Sequence, residues 1–330
     1  MARVSQKDIA IALNLSRVTV TKALKDHPDI SDSTKKQIKE KAKELGYIPD
    51  LIGRSLSSGR TKTIGVILPK IAHSFFAYAV ERFYEYAHER DYNIIPMVSF
   101  EDSEKEKKNI DTLLSMRVDG IIIDTVGIKD RKTYYNLINK SGTKILFFDR
   151  APIEHPVGAV VADDMESSYQ LTKLLLQKKY VKICHFGGPS GISITEERRK
   201  GYERAIQEVG ISAWVILTDM TKDDGYTILR KLGHSANLPD AVIAINDSVA
   251  QGAHKAALEM GLEIPSDIAI AGFGDLTTSR IMKPSLTTVR MPLKEMTKYT
   301  IDLIIDMIEN ETTVKGNTIF KGELIEREST

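Results

Sequence analysis

The sequence predicts a small all-α helix-turn-helix head joined to a two-lobed α/β body made of two doubly wound parallel sheets. Three observations carry that prediction. Residues 1 to 60 hold twelve Lys/Arg against seven Asp/Glu, a net of +5, and the remainder holds 34 against 38, a net of −4. A small polyanion-binding head on a neutral or acidic body gives that asymmetry. The first 46 residues carry capped helical patterns, and from Thr63 short apolar runs alternate with helical segments. With 330 residues and 42% hydrophobic content, the chain can fill two or three cores.

The head, residues 1–46, reads as three helices. Ser5 is placed to cap the first, whose apolar set is Ile9, Ala10 and Leu13, and Asn14 to Leu15 forms the break. Ser16 caps a second helix with Val20, Ala23 and Leu24 inward. After the turn KDHPD, Ser31 or Asp32 caps a third, with Ile38, Ala42 and Leu45 on one buried face and Gly46 as its stop. Residues 47–61, YIPDLIGRSLSSGRT, form a connector without a core of its own, marked by Pro49, Gly53, Gly59 and a cluster of serines.

The body, residues 62–330, opens on the first of eight apolar strands: TIGVILP, NIIPMVS, VDGIIID, TKILFFD, VKICHFGG, AWVILT, AVIAIN and DIAIAGF. Helical patterns such as FFAYAVERFYEYAHE, SSYQLTKLLLQKK, ERRKGYERAIQEVG and SVAQGAHKAALEMG lie between them. Continuously apolar strands alternating with helices imply parallel sheets covered on both faces. Eight strands suit two sheets better than one, so two similar lobes should face a cleft. The expected first lobe is 62–161 plus 291–319, and the second is 162–290 plus 320–330. Ligands of such sheets sit beyond the carboxyl ends of the strands. That rule selects Pro69 to Phe76, Asp124 and Thr125, Asp149 and Arg150, Gly187 to Arg198, Asn246 and Asp247, and Phe273 to Asp275.

Composition narrows the function classes. The opening MARVSQKDIA lacks the apolar stretch of a signal peptide, and no run of about eighteen apolar residues occurs, so a soluble cytoplasmic protein with no membrane partner is expected. The single Cys184 excludes an internal disulfide and sits in an apolar run as core filler. FGGPSG lacks the lysine and spacing of a phosphate-binding P-loop, and no GxGxxG opens a helix after the first strand. Seven scattered histidines show no metal spacing, and neither a G-x-S-x-G elbow nor a paired-carboxylate motif is present. An enzyme, a cofactor and a bound metal are therefore not expected. A solute-binding protein of a transporter would share the body but would not need the basic head.

The order of parts resembles the lactose-repressor (LacI/GalR) family of bacterial transcription regulators, over essentially the whole chain. DIAIALNLSRVTVTKAL matches the helix-turn-helix, ELGYIPD precedes the hinge, and RSLSSG matches the hinge helix. DR, RRKGY, PDAVIAINDSVAQGA, IPSDIAIAGF and PSLTTVR then follow in order. The resemblance implies a periplasmic-binding-protein-like body and a homodimer, or a dimer of dimers, on a near-palindromic double-stranded operator. A recognition helix reads only a few base pairs, so two-fold symmetry supplies the remaining specificity.

The resemblance also assigns residues. Arg17, Val18 and Lys22 match positions facing base edges: Arg suits bidentate contact with guanine, and Val18 can touch a thymine methyl. A solvated basic face is the bland alternative. Ser5, Ser16, Thr19, Thr21, Ser31 and Thr34 read as caps or phosphate contacts, and Tyr47 and Arg54 join the DNA-facing set. Leu56 matches the hinge leucine that enters the minor groove, where such wedges cost about a few kcal/mol per unstacked step. Gly53 stands where alanine is frequent and lowers helix propensity by roughly 1 kcal/mol.

In the body, Arg198 matches the arginine that points into the cleft, and Asn246 and Asp247 match a polar pair, with Asn246 expected at the ligand and Asp247 as the helix cap. His73, Ser74, Phe75, Phe76, Asp149, Ser193, Thr195, Met220 and Asp275 complete the expected effector site. Two departures bear on the ligand. Gly274 replaces the first acidic residue of the GFDD or GYDD seen in many sugar-binding members, and Met220 stands where relatives often present an aromatic platform. An anionic or phosphorylated metabolite thus becomes the attractive effector. A protein co-repressor of the phosphocarrier type, docking outside the cleft, is the other course within the family. FFAYAVERFYEYAHE is a dimer surface by the same analogy, with simple core packing as its alternative.

Overall fold

The computed structural model describes residues 4–48, 59–127, 138, 140–152, 157–235 and 237–330. The chain divides into two compact units, Met1–Thr61 and Lys62–Thr330. The connector positions Pro49, Gly53, Arg54 and Leu56 lie outside the described residues.

In the first unit, α1 (Gln6–Leu13), α2 (Arg17–Leu24) and α3 (Asp32–Glu44) bury Ile9, Val20, Ala23 and Ile38 completely. Ser5 donates both its backbone N–H and its hydroxyl to Asp8 Oδ2, at 2.8 Å each. The Ser16 hydroxyl accepts from Thr19 N at 3.0 Å, and the Ser31 hydroxyl accepts from Thr34 N at 3.3 Å, so Ser31 rather than Asp32 caps α3. So small a core needs polar ties. Gln6 supplies one: its amide donates to Tyr47 Oη at 3.1 Å and accepts from Thr21 Oγ1 at 2.7 Å, linking α1 to α2 and to the chain beyond α3.

The second unit contains twelve strands among the described residues. One sheet has the order β11-β5-β4-β3-β1-β2 and the other β12-β10-β9-β8-β6-β7. In the first sheet these are β1 (Thr63–Leu68), β2 (Asn93–Val98), β3 (Gly120–Ile123), β4 (Lys144–Phe148), β5 (Gly158–Ala162) and β11 (Gly316–Phe320). In the second they are β6 (Ile183–Gly187), β7 (Trp214–Leu217), β8 (Ala241–Ala244), β9 (Ala269–Phe273), β10 (Thr287–Arg290) and β12 (Glu323–Ile325). All eight expected strands are present. Of the four unexpected ones, β10, β11 and β12 are short or carry polar residues, whereas β5, GAVVA, is apolar but made of small residues. Pairing is parallel except between β10 and β12, which run antiparallel, so the second sheet is mixed rather than purely parallel. Each sheet repeats the doubly wound order 2-1-3-4-5, with a switch point at β1/β3 and at β6/β8.

The helices cover these sheets. They are α4 (Ser74–His88), α5 (Ser103–Ser115), α6 (Asp164–Gln177), α7 (Ser193–Glu208), α8 (Lys222–His234), α9 (Asp247–Glu259), α10 (Thr277–Ile281) and α11 (Leu293–Glu309). The α4 pattern turns Phe76, Ala79, Val80, Phe83, Tyr86 and Ala87 inward and leaves Tyr78 and Tyr84 exposed. Most of its aromatics are therefore core. The chain passes between the sheets three times: after β5, between β10 and α11, and between β11 and β12.

Two helix pairs depend on glycine. A Cβ on Gly201 of α7 would lie 2.1 Å from the Met165 carbonyl oxygen of α6, and one on Gly252 of α9 would lie 1.8 Å from the Lys222 carbonyl oxygen of α8. Hydrogen at these positions lets the helices touch backbone to backbone. Cys184 is buried, and burial pushes its thiol up to about 12, which fits core filling. Among the described residues no helix is long and apolar enough to cross a membrane.

Candidate effector cleft and DNA-reading head

The carboxyl ends of strands from both sheets converge on a cavity open to solvent on one side. Lys70 and His73 reach it from the β1–α4 turn, Phe75 and Phe76 from the first turn of α4, Glu101 from beyond β2, and Asp149 and Arg150 from beyond β4. The second lobe contributes Ile194 and Arg198 of α7, Met220, Asn246, Phe273 to Gly274 and Leu276, and Met291 joins them from beyond β10.

Arg198 is fixed before any ligand arrives. Its Nε donates to Asp164 Oδ1 at 2.7 Å, one terminal nitrogen donates to the Ile245 carbonyl at 2.6 Å, and its guanidinium lies 3.8 Å from the Phe273 ring centroid. Two of its five N–H donors are thus committed, and ring stacking fixes its plane. Gly201, one turn further along α7, sets this geometry by bringing α7 onto α6, which carries Asp164. Burial pushes the Asp164 carboxyl up to about 6, and the Arg198 charge works against that rise.

Arg150 is likewise paired. It donates to both carboxylate oxygens of Glu101, at 2.9 and 3.3 Å, and its Nε stands 3.4 Å from Asp124 Oδ1. Asp124 is fully buried, and neither of its carboxylate oxygens has a hydrogen-bond partner among the described residues; burial raises its pKa well above the ordinary value. Asp149 differs from these. It is 5% exposed, sits at a φ of 62°, and its carboxylate receives no hydrogen bond among the described residues. Burial raises its pKa, with Arg150 and Arg198 opposing. It is a buried acceptor facing a cavity without a donor.

The cap expected of Asp247 is made by Asn246 instead. Asn246 Oδ1 accepts from Val249 N at 2.9 Å and caps α9, while its amide donates to the Met220 carbonyl at 3.2 Å. Asp247 caps nothing: it accepts from Thr288 Oγ1, Leu276 N and Ser279 Oγ at 2.6 to 2.8 Å and anchors the loop beyond β9. The cap residue is the one left facing the cavity.

Seven expected site residues, His73, Phe75, Phe76, Asp149, Arg198, Met220 and Asn246, line the cavity together. Four do not. Asp275 is turned onto Arg280, Arg290 and Arg327; burial opposes its charge, but these three arginines hold its carboxyl below the ordinary range. The Thr195 hydroxyl sits against the Pro189 and Ile192 carbonyls at 2.6 and 2.7 Å, Ser193 Oγ accepts from Ala151 N at 3.3 Å, and Ser74 is exposed at the start of α4. Glu101, Leu276 and Met291 were not expected at all. Glu101 follows β2 and obeys the strand-end rule, whereas Met291 follows β10, a strand the sequence did not reveal.

On the head, Arg17 and Val18 are exposed, Val18 at 65% despite being apolar. Lys22 donates to Asp29 at 2.7 Å. The hydroxyls of Ser16 and Thr19 lie 2.8 Å apart, as do those of Ser31 and Thr34, at two helix N-termini. Thr21 and Tyr47 are engaged with Gln6 inside the head.

A helix-turn-helix unit preceding a two-lobed body with a cavity lined by polar and aromatic side chains defines a ligand-binding regulator of the bacterial helix-turn-helix class. Comparison with known proteins narrows the class. The description "Bacterial regulatory proteins, lacI family" matches residues 5–50, and "Periplasmic binding proteins and sugar binding domain of LacI family" matches residues 61–328. The chain belongs to the LacI family of transcriptional regulators, and its relatives are regulators rather than enzymes. It is 33% identical to the HTH-type transcriptional regulator RegA of Clostridium saccharobutylicum, over 99% of both chains. It is 27% identical to catabolite control protein A of Priestia megaterium, over 92% of both. The fold matches that of the lac repressor dimer bound to operator and an anti-inducer, with a TM-score of 0.88, 21% identity and 99% coverage of both chains.

Proposed function

We propose that the protein is a cytoplasmic, sequence-specific repressor. It binds a near-palindromic operator as a homodimer and is controlled by a small metabolite in the cleft. The observation that carries the metabolite control is Asp149, a buried carboxylate with no donor among the described residues, facing the same cavity as the fixed guanidinium of Arg198. Such a pair suits a polyhydroxylated ring, whose hydroxyls donate to one side and accept from the other. Arg17, Val18 and Lys22 read bases in this proposal, and the Ser16, Thr19, Ser31 and Thr34 hydroxyls meet phosphates. Effector binding shifts the population between two lobe orientations and so governs whether the paired connectors engage the operator. A protein co-repressor is the less supported course, because the cavity gives a metabolite a site and no feature of the described surface singles out a protein partner.

Genomic footprinting of the purified full-length chain tests this. A small number of near-palindromic sites, whose occupancy changes with metabolites of the neighbouring genes, is the expected result. Uniform binding to random DNA under every ligand condition would overturn it.

A further inference from the structure

One cation at the cavity is unaccounted for. Arg150 is paired with Glu101 and Asp124, and Arg198 with Asp164. Lys70 lines the same space, half-buried directly beyond β1, and its ammonium has no ion pair or hydrogen bond among the described residues. Around it stand Glu101, whose carboxylate is already held by Arg150, and a set of donors. His73 Nδ1 is buried without a partner among the described residues, while Nε2 stands 3.3 Å from Ser248 Oγ. The tautomer in which Ser248 donates to Nε2 puts the ring proton on Nδ1. His73 gives α4 no side-chain cap, so the first N–H groups of this fifteen-residue helix, those of Ser74 to Phe76, lack acceptors among the described residues. Lys70 and His73 are close enough that the lysine charge helps to lower the histidine pKa, after burial and Arg150. Cation, imidazole N–H and helix N-terminus make a set suited to an anion.

Asp149 reaches the cavity from the end of β4 and Lys70 from the end of β1, with β3 between those strands in the sheet. The cavity therefore has two ends of opposite demand. We infer that Lys70 is the anion-reading residue of the cleft and that the effector is an acidic sugar, with ring hydroxyls at Asp149 and Arg198 and a carboxylate or phosphate at Lys70. This rests on the metabolite-controlled reading above. It assigns the negative group to Lys70 instead of Arg198, whose charge already belongs to Asp164.

The test is calorimetric titration of the full-length protein with glucose, galactose and mannose, each as the free sugar, the 6-phosphate and the uronate. At least one anionic member should bind about tenfold or more tightly than its neutral parent, the gain expected of one charge-assisted contact. Whether phosphate or uronate shows the gain identifies the anionic group. In Lys70→Gln that preference should collapse to within about threefold while neutral-sugar affinity stays, and Lys70→Arg should restore it. An unchanged anionic preference in Lys70→Gln, or equal binding of neutral and anionic members by the wild type, overturns the Lys70 assignment and leaves metabolite control standing. No binding by any member, with operator affinity unmoved, overturns both.

Discussion

Arg17 and Asp149 pose opposite residue-scale problems, one an exposed charge awaiting an acceptor and the other a buried charge awaiting a donor. Arg17→Ala should lower discrimination between operator and mismatched sites by about 1–3 kcal/mol, whereas Ser31→Ala should weaken every DNA about equally. Competition binding against operator and random duplexes separates the two, and equal losses for Arg17→Ala on both duplexes would contradict a base contact. In the cleft, Asp149→Asn keeps the shape but removes the charged acceptor. Effector affinity should fall by about 1.5–3 kcal/mol with the melting temperature near that of wild type, which calorimetry and thermal unfolding check together. Asp149 and Asn246 could be located from sequence because each follows an apolar strand at a place the strand-end rule selects, whereas Arg198, inside α7, was pointed to by the family resemblance of RRKGY. Asp275 obeyed the same rule and was misplaced, since its three arginine partners come from separate stretches, at positions 280, 290 and 327. Lys70 lay in the selected segment too, but nothing in the sequence said that the other cavity cations were already paired.

Among the elements, α7 shows how a backbone contact sets a functional side chain. The Gly201 Cα faces the Met165 carbonyl so closely that a methyl group there would stand 2.1 Å from the oxygen. Gly201→Ala must therefore move α7 off α6 and lengthen the Arg198–Asp164 pair. A stability loss of about 1–3 kcal/mol is expected, with a loss of effector affinity larger than in Gly210→Ala at the far end of the helix. Urea unfolding with parallel ligand titration reads both, and normal effector binding by Gly201→Ala would show that α7 does not set the arginine. Strands rich in isoleucine and valine announced themselves, as did helices with serine caps. The strands β10, β11 and β12 did not, because TTVR, GNTIF and ELI are short or carry polar residues, and GAVVA of β5 is apolar but built of small residues.

On the scale of the whole molecule, three buried carboxylates, Asp124, Asp149 and Asp164, have raised pKa values, burial being the first cause in each. Asp164, pushed up to about 6 from an ordinary 3.8, takes its proton in the folded state before the unfolded chain does. The folded state then gains stability as pH falls through about 6, and loses it as pH rises back through that value. Wild type should therefore gain in urea midpoint on Asp164→Asn between pH 7 and pH 5, and the absence of any relative gain over this range would contradict the raised carboxyl.

The three passages of the chain between the sheets have a consequence for proteolysis. The first sheet needs residues 63–162 and 316–320, and the second needs 183–290 and 323–325, so neither is contiguous. A single cut in any one passage leaves two covalent ties between the lobes, and a nicked body should migrate as one particle until denatured. Equally, a truncation anywhere within 163–315 leaves neither piece with the whole first sheet, because its edge strand β11 lies at 316–320. Gene halves divided near residue 162 would leave the first sheet one strand short until they met, because β11 travels with the second half.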